Sequence, residues 1–348
     1  MLSSLVHGYM NHYDSGDVIL LAHGDGGLLT HQLIEKYFLP RLNNELLQEL
    51  SDAASFSVDS GQMAITTDAF VVDPIFFPGG DIGKLAVCGT VNDLAVSGSK
   101  PLYLAASFII EEGFPFESLE KIITSMAITC KEADVKIVAG DTKVVGKGQV
   151  DKIFITTTGV GYLMPGVNLG YTLIEPGDCI MVNGPLGNHG LSILLAREPF
   201  SLNTNVVSDC TPLNIIIEPL LKKFPGIKFM RDLTRGGLAT NAKEIALKAT
   251  IDLWINEILV PVDNDVKGAT EMLGLDPFYL ANEGKFLAVL PEKQATDIVE
   301  YLHGHLKAKD ACIIGHVSDG KGEVFLKTAL GGTRRLNMLT GAPLPRIC

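Results

Sequence analysis

Carboxylates recur beside glycines, hydroxyls and amides along this chain, a pattern suited to phosphate and hydrated magnesium. His23-Gly24-Asp25-Gly26-Gly27 combines pliable backbone with one carboxylate, which lets a phosphate or cation come close, although a bare turn reads the same way. Asp68 interrupts the apolar run 64–72, where an unpaired charge is costly; it needs either a partner or a solvated strand end. Asn92 and Asp93 stand about 100° apart on an apolar helical segment, so one of them meets apolar neighbours unless a cation or ligand satisfies it, or the face is solvated. Gly140-Asp141-Thr142-Lys143 follows the apolar residues 137–139 and reads as a strand end with carboxylate, hydroxyl and ammonium at one edge. That set holds magnesium and neutralises a triphosphate; it lacks the P-loop glycine spacing, and a hairpin turn is the alternative. Asp232-Leu233-Thr234-Arg235-Gly236-Gly237 precedes a helical run, and its glycines would leave helix-N-terminal amides open to an anion, although capping alone accounts for Asp232 or Thr234. Asn282-Glu283-Gly284 leads into the apolar strand 286–290, with Glu283 either a candidate base or a solvated loop carboxylate.

A nucleophile of a different kind ends the chain. Cys348 follows Gly341-Ala342-Pro343-Leu344-Pro345-Arg346-Ile347, whose prolines disfavour helix and central strand. An extended chain from Gly332 to Cys348 spans roughly 50 Å, at about 3.3 Å per residue, far enough to swing between an internal pocket and an outside partner. A frayed terminus with an idle thiol is the plain alternative. Arg346 would favour the thiolate and the terminal carboxylate would oppose it.

The elements that position these groups alternate strand and helix patterns. Strand-like runs at 64–72, 102–110, 137–139 and 153–160 are separated by helical patterns near 82–97 and 117–133; Asp81 suits a helix N-cap and Gly98 a left-handed stop. A second series begins at 179–183, after the Pro165-Gly166 break. A mixed α/β chain follows, divided into 1–168, 169–330 and a mobile tail 331–348. At 348 residues and 47% hydrophobic, two cores can be buried. The net charge of −12 and pI near 5.1 argue against a nucleic-acid surface. No apolar run reaches a membrane span and residues 1–11 lack signal-peptide order, so the cytosol is the default. The six cysteines show no Cys-x-x-Cys spacing, which indicates neither zinc nor a disulfide framework.

Taken together, the motifs at 24–27, 92–95, 140–143, 232–237 and 282–284 and the terminal Pro345-Arg346-Ile347-Cys348 resemble the HypE family of hydrogenase maturation factors, nearly end to end. That family belongs to the ATP-binding superfamily of aminoimidazole ribonucleotide synthase, thiamine-phosphate kinase and selenophosphate synthetase. Selenophosphate synthetase is similar in its acidic motifs but carries a reactive residue near its N-terminus, and residues 1–23 here contain no cysteine. The resemblance implies a two-domain aminoimidazole ribonucleotide synthase-like fold and a homodimer. It also implies a carbamoyl group delivered to Cys348 by the carbamoyltransferase HypF, its ATP-dependent dehydration to a thiocyanate, and cyanide transfer to iron on the HypC–HypD complex. By the same resemblance Asp25, Asp68, Asp93 and Asp141 would hold magnesium and ATP with Asn92 and Thr142. Lys143 would offset phosphoryl charge, Glu283 would take the amide proton, and Asp232, Arg235, Gly236 and Gly237 would contact phosphate. Gly187-Asn188-His189-Gly190 departs from the expected Gly-Asp-His-Gly, which removes one acidic contact and leaves His189 outside the expected site. A small-molecule kinase or synthetase with an idle Cys348, and a non-catalytic cysteine carrier, are the competing readings.

Overall fold

The structure, a computed structural model, describes residues 27–38, 53–58, 61–197, 205–339, 341 and 346–348. After the short helix α1 (Leu28–Leu33) come β1 (Ala54–Val58), β2 (Gly61–Phe70), a small ribbon of β3 (Phe76–Phe77) and β4 (Gly80–Asp81), and α2 (Ile82–Val96). They are followed by β5 (Ser99–Glu111), α3 (Phe116–Glu132), β6 (Lys136–Val145) and β7 (Ile153–Leu163). The five long strands form one sheet in the order β1-β2-β7-β5-β6. Only β5 and β6 run parallel in it, as a strand, crossover helix and strand require. Strand β2 alternates, with Ala64, Thr66 and Phe70 turned inward and Ile65, Thr67 and Ala69 outward.

Helix α2 is buried at every position except Lys84 and Asp93. A helix apolar all round must be covered on every side. Phe70 and Leu104 of the first sheet cover one flank of α2, and its C-terminal Ala95 and Val96 join the core of the second sheet. Asp81 caps it as expected, accepting from the amides of Gly83 (2.7 Å) and Lys84 (3.1 Å). Gly98 takes the left-handed φ of 83° that ends it.

The second sheet contains β8 (Cys179–Val182), β9 (Phe229–Asp232), β10 (Ile251–Asn256), β11 (Phe286–Leu290), β12 (Cys312–Asp319), β13 (Val324–Lys327) and β14 (Thr333–Arg335). Their order is β14-β13-β10-β12-β8-β11-β9. Its helices are α4 (Asn188–Arg197), α5 (Asn214–Lys223), α6 (Gly237–Ala249), α7 (Asn264–Leu273) and α8 (Glu292–His303). Leu238, Ala242 and Ile245 of α6 cover one face, against Leu253 and Leu287. Ile217 and Leu220 of α5 with Ile298 of α8 cover the other, against Met181 and Phe286. Sandwiched between these layers, β11 is buried throughout, which is why it reads as an unbroken apolar run.

Two expectations are corrected here. The strand read as ending before Gly140 continues to Val145, because it pairs with β5 along its length. The region 331–348 is not one mobile tail: Thr333–Arg335 pairs with β13, and Leu336 is fully buried. No helix among the described residues is long and apolar enough to cross a membrane.

Candidate active site

Between the two sheets lies a cavity of about 680 Å³, within the range of small-molecule sites. Thr66 and Asp68 of β2 and Asp93 of α2 form one wall; Asp232, Arg235 and Glu283 form the opposite one, and Cys348 enters between them. Asp93 escapes the burial of its helix because it opens onto this cavity. Its Oδ2 accepts from Thr66 Oγ1 at 2.8 Å. Asp68 lies in hydrogen-bonding contact with Asp93, and its Oδ2 accepts from Thr90 Oγ1 at 3.3 Å. Burial raises the Asp68 carboxyl above its ordinary value, and Arg235 is the leading opposing influence. Neighbouring carboxylates in a poorly hydrated wall repel when both ionise, and a divalent cation relieves that repulsion, so the pair fits magnesium. Among the described residues no group of three or more such ligands stands together. Asp25 lies outside the described residues.

Glu283 is 2% exposed, so the solvated-loop alternative fails. Its carboxyl is held well above the ordinary value, first by burial and then by Cys210, Asp232 and Asp209, with Arg235 opposing. Such a shift is the expected condition of a carboxylate used as a base near neutrality. Arg235 lines the cavity and is exposed. Cys348, the first of its neighbours, favours its charged form, with Asp68, Glu283 and Asp93 contributing after it.

The end of the chain is docked. Val71 N–H donates to Cys348 O (3.2 Å) and Asp73 N–H to Arg346 O (3.1 Å). His189 is fully buried between Ser208 Oγ (2.8 Å) and Ile347 O (2.6 Å). Arg197 Nη2 donates to Arg346 O at 2.9 Å and to Asp73 O at 2.7 Å. The Arg346 side chain does not serve the thiol: it pairs with Asp151 Oδ2 at 2.6 Å and donates to Val71 O at 3.0 Å. Arg235 faces the thiol instead, but burial prevails and pushes Cys348 up to about 12. In this position the cysteine is a protonated, weakly nucleophilic group. Ser208 and Arg197 did not stand out in the sequence, and His189, read there as outside the expected site, holds the docked chain end at Ile347 O. Asn188 donates to Asp263 Oδ2 at 2.8 Å, away from the cavity.

Other expected residues sit elsewhere. Asn92 does not line the cavity; its amide donates to Thr211 O and Glu283 O (3.2 Å each) and accepts from Leu213 N–H at 2.7 Å, which corrects its reading as a nucleotide contact to that of a clamp. Gly236 (φ 76°) and Gly237 (φ 58°) turn the chain into α6. A Cβ at Gly237 would lie 2.5 Å from Leu280 O. The Gly237 amide already donates to Thr234 O at 3.0 Å, so the expectation of two open amides is corrected there. Asp141, Thr142 and Lys143 lie exposed on β6. Alternation splits them: Asp141 and Lys143 pair with Ser107 and Ile109 on the outer face, and Thr142 with Phe108 on the inner one. Asp68 is on the inner face and three strands away, roughly 14 Å at about 4.8 Å per strand, so Asp141 and Lys143 do not reach this chain's own cavity.

The same two-layer arrangement occurs in known proteins. Residues 50–163 match the family AIR synthase related protein, N-terminal domain, and residues 175–327 its C-terminal domain counterpart. The carbamoyl dehydratase HypE of Cupriavidus necator is 45% identical over 330 residues, 94% of each chain. The chain belongs to the HypE family. A solved HypE in complex with ATP superposes with a TM-score of 0.80 at 43% identity, covering 95% of this chain and all of that one. HypE from a HypE–HypF complex does so with 0.84 at 47%, covering 88% and 99%. Membership in the HypE family carries the aminoimidazole ribonucleotide synthase-like fold with it.

Proposed function

We propose that this chain is an ATP-dependent carbamoyl dehydratase of hydrogenase maturation that acts on its own terminal cysteine. The observation that carries the reading is the docking of Cys348 into the cavity that also holds Glu283, Arg235, Asp68 and Asp93. An S-carboxamide on Cys348 has a poor leaving group in its oxygen. Transfer of the γ-phosphoryl of ATP to that oxygen makes phosphate the leaving group. Glu283 takes a proton from the nitrogen, the C–O bond breaks, and a nitrile remains on sulfur; thiocarbamate and ATP become thiocyanate, ADP, phosphate and a proton. Arg235, beside Cys348, offsets the developing phosphoryl charge. Asp68 and Asp93, with Asp25, would hold magnesium, which neutralises the triphosphate when bound. A relative crystallised with ATP supports the nucleotide, and one crystallised with HypF supports that carbamoyltransferase as the partner that loads Cys348. With the docked thiol pushed up to about 12 its nucleophile is suppressed inside, so on this reading the tail leaves the cavity to be loaded.

Asp141, Thr142 and Lys143 enter through a second copy. A homodimer pairing the exposed sheet faces, where Ile65, Tyr103 and Ile109 remain uncovered, would bring Asp141 and Lys143 of the outer face toward the partner's cavity, with Thr142 following at the strand edge. The cytoplasm and a HypC–HypD cyanide acceptor complete the proposal. Mass spectrometry of the C-terminal peptide after HypF, carbamoyl phosphate and ATP should show a carbamoyl increment and then loss of one water. A chain ending at Ile347 that still supports cyanide ligand assembly ends the proposal, and favours the kinase or carrier readings.

A further inference from the structure

A second cavity of about 460 Å³ is lined by Asp209, Cys210, Thr211 and Lys285. Asp209 lines this second cavity and reaches the turn that carries Glu283. Its Oδ1 accepts from the Glu283 amide at 3.1 Å and its Oδ2 from the Gly284 amide at 3.2 Å, and its side chain is 6% exposed. Lys285 Nζ lies 3.4 Å from Oδ2, on the second cavity's side. The opposite edge of the turn is held by other groups: Thr211 N–H and Asn92 Nδ2 both donate to Glu283 O at 3.2 Å. A Cβ on Gly284 would come 2.1 Å from Asp209 O, so the close approach of these two segments requires a glycine there. A single carboxylate thus grips two successive amides of the turn that presents Glu283, one with each oxygen, and an asparagine in its place would keep only one of those two acceptor oxygens.

We propose that Asp209 is the positioning residue for Glu283, fixing through both amides the backbone of the turn that presents it to the Cys348 cavity. The inference rests on Glu283 being the base. The groups facing Glu283 are Cys210 and Asp209 from the 208–211 loop, Asp232 from β9, Arg235 ahead of α6, and Cys348 from the chain end. Only Arg235 among them is cationic, so removing the Asp209 charge leaves its attraction less opposed and lowers the Glu283 proton affinity.

The test is single-turnover dehydration by full-length protein loaded by HypF and followed across pH. Asp209→Asn should lower turnover about ten- to a hundredfold, leave KM for ATP within about twofold, and move the acidic limb of the rate profile toward lower pH. Asp209→Glu should restore part of the rate and the position of the limb. If Asp209→Asn does not fold, Lys285→Gln gives the opposite sign: an unneutralised Asp209 moves the limb toward higher pH. A limb that stays in place in the folded variants, or an unchanged rate in Asp209→Asn, overturns the inference. Glu283→Gln in the same assay separates the two failures. Loss of activity there beside an unaffected Asp209→Asn sinks only the positioning role, and full activity in Glu283→Gln sinks the base itself.

Discussion

The cavity wall and the edge strand β6 carry similar residues in opposite circumstances. Asp68, Asp93 and Glu283 are turned into a confined space, engaged by threonine hydroxyls and Arg235, and two of them are displaced from their ordinary titration. Asp141, Thr142 and Lys143 stand in water on an outermost strand whose residues 136–144 are all exposed. The difference teaches that residue types alone do not make a site: the same groups become a confined cluster or a solvated edge according to what covers them. An unpaired strand edge and an uncovered sheet face are what a second molecule can fill.

The comparison breaks most visibly at Glu283. Replacement by Gln should slow thiocyanate formation by about 10² to 10⁴ while ATP binding, followed by calorimetry, stays near wild type. If β6 serves a partner's cavity, Lys143→Ala should cost about 10² to 10³, although it touches nothing in its own chain's cavity. Mixing the Glu283→Gln and Lys143→Ala proteins after dissociation should then recover about one-quarter of the wild-type sites, since half the dimers are mixed and each has one intact site. No recovery would assign β6 another purpose.

Smaller effects sharpen the cavity side. His189→Phe removes the hydrogen bond to Ile347 O of the docked segment and the one to Ser208 Oγ that orients the ring, at about 1 kcal/mol each, and should raise maleimide labelling of Cys348 by roughly fivefold. The same histidine supplies a pH test. Burial lowers its proton affinity below the ordinary 6.5, so the unfolded chain binds the extra proton first. Its contribution to stability is therefore present above that value and declines as pH falls below it, by at most about 1.4 kcal/mol per pH unit. Denaturant midpoints measured from pH 7 to 5 should fall less steeply in His189→Phe than in wild type.

Local rules were enough for several elements. Asp81 as a cap, Gly98 as a helix stop and the unbroken apolar strand 286–290 depend on residues a few positions apart, so the amino-acid order states them directly. The misplaced end of β6 has a different cause: Gly140 and Asp141 disfavour strand locally, and only pairing with β5 along its length overrides them. Helix α7 at 264–273 went unread, since Gly268 weakens its local signal and its Val266 and Ala269 are buried by Leu191 and Leu280 from elsewhere.

The candidate site divides along the same line. An aspartate inside an apolar run announces from sequence that Asp68 must find a partner. Which groups such residues meet was decided by folding. His189 touches Ile347 across 158 residues, and Asn92 reaches Glu283 across 191. Asp209 grips the Glu283 turn from 74 residues away. Charge, ring and amide types are fixed by the order of residues; their distances and their loss of water come only from bringing remote segments together, and those determine which carboxylate becomes a base and which remains a solvated edge.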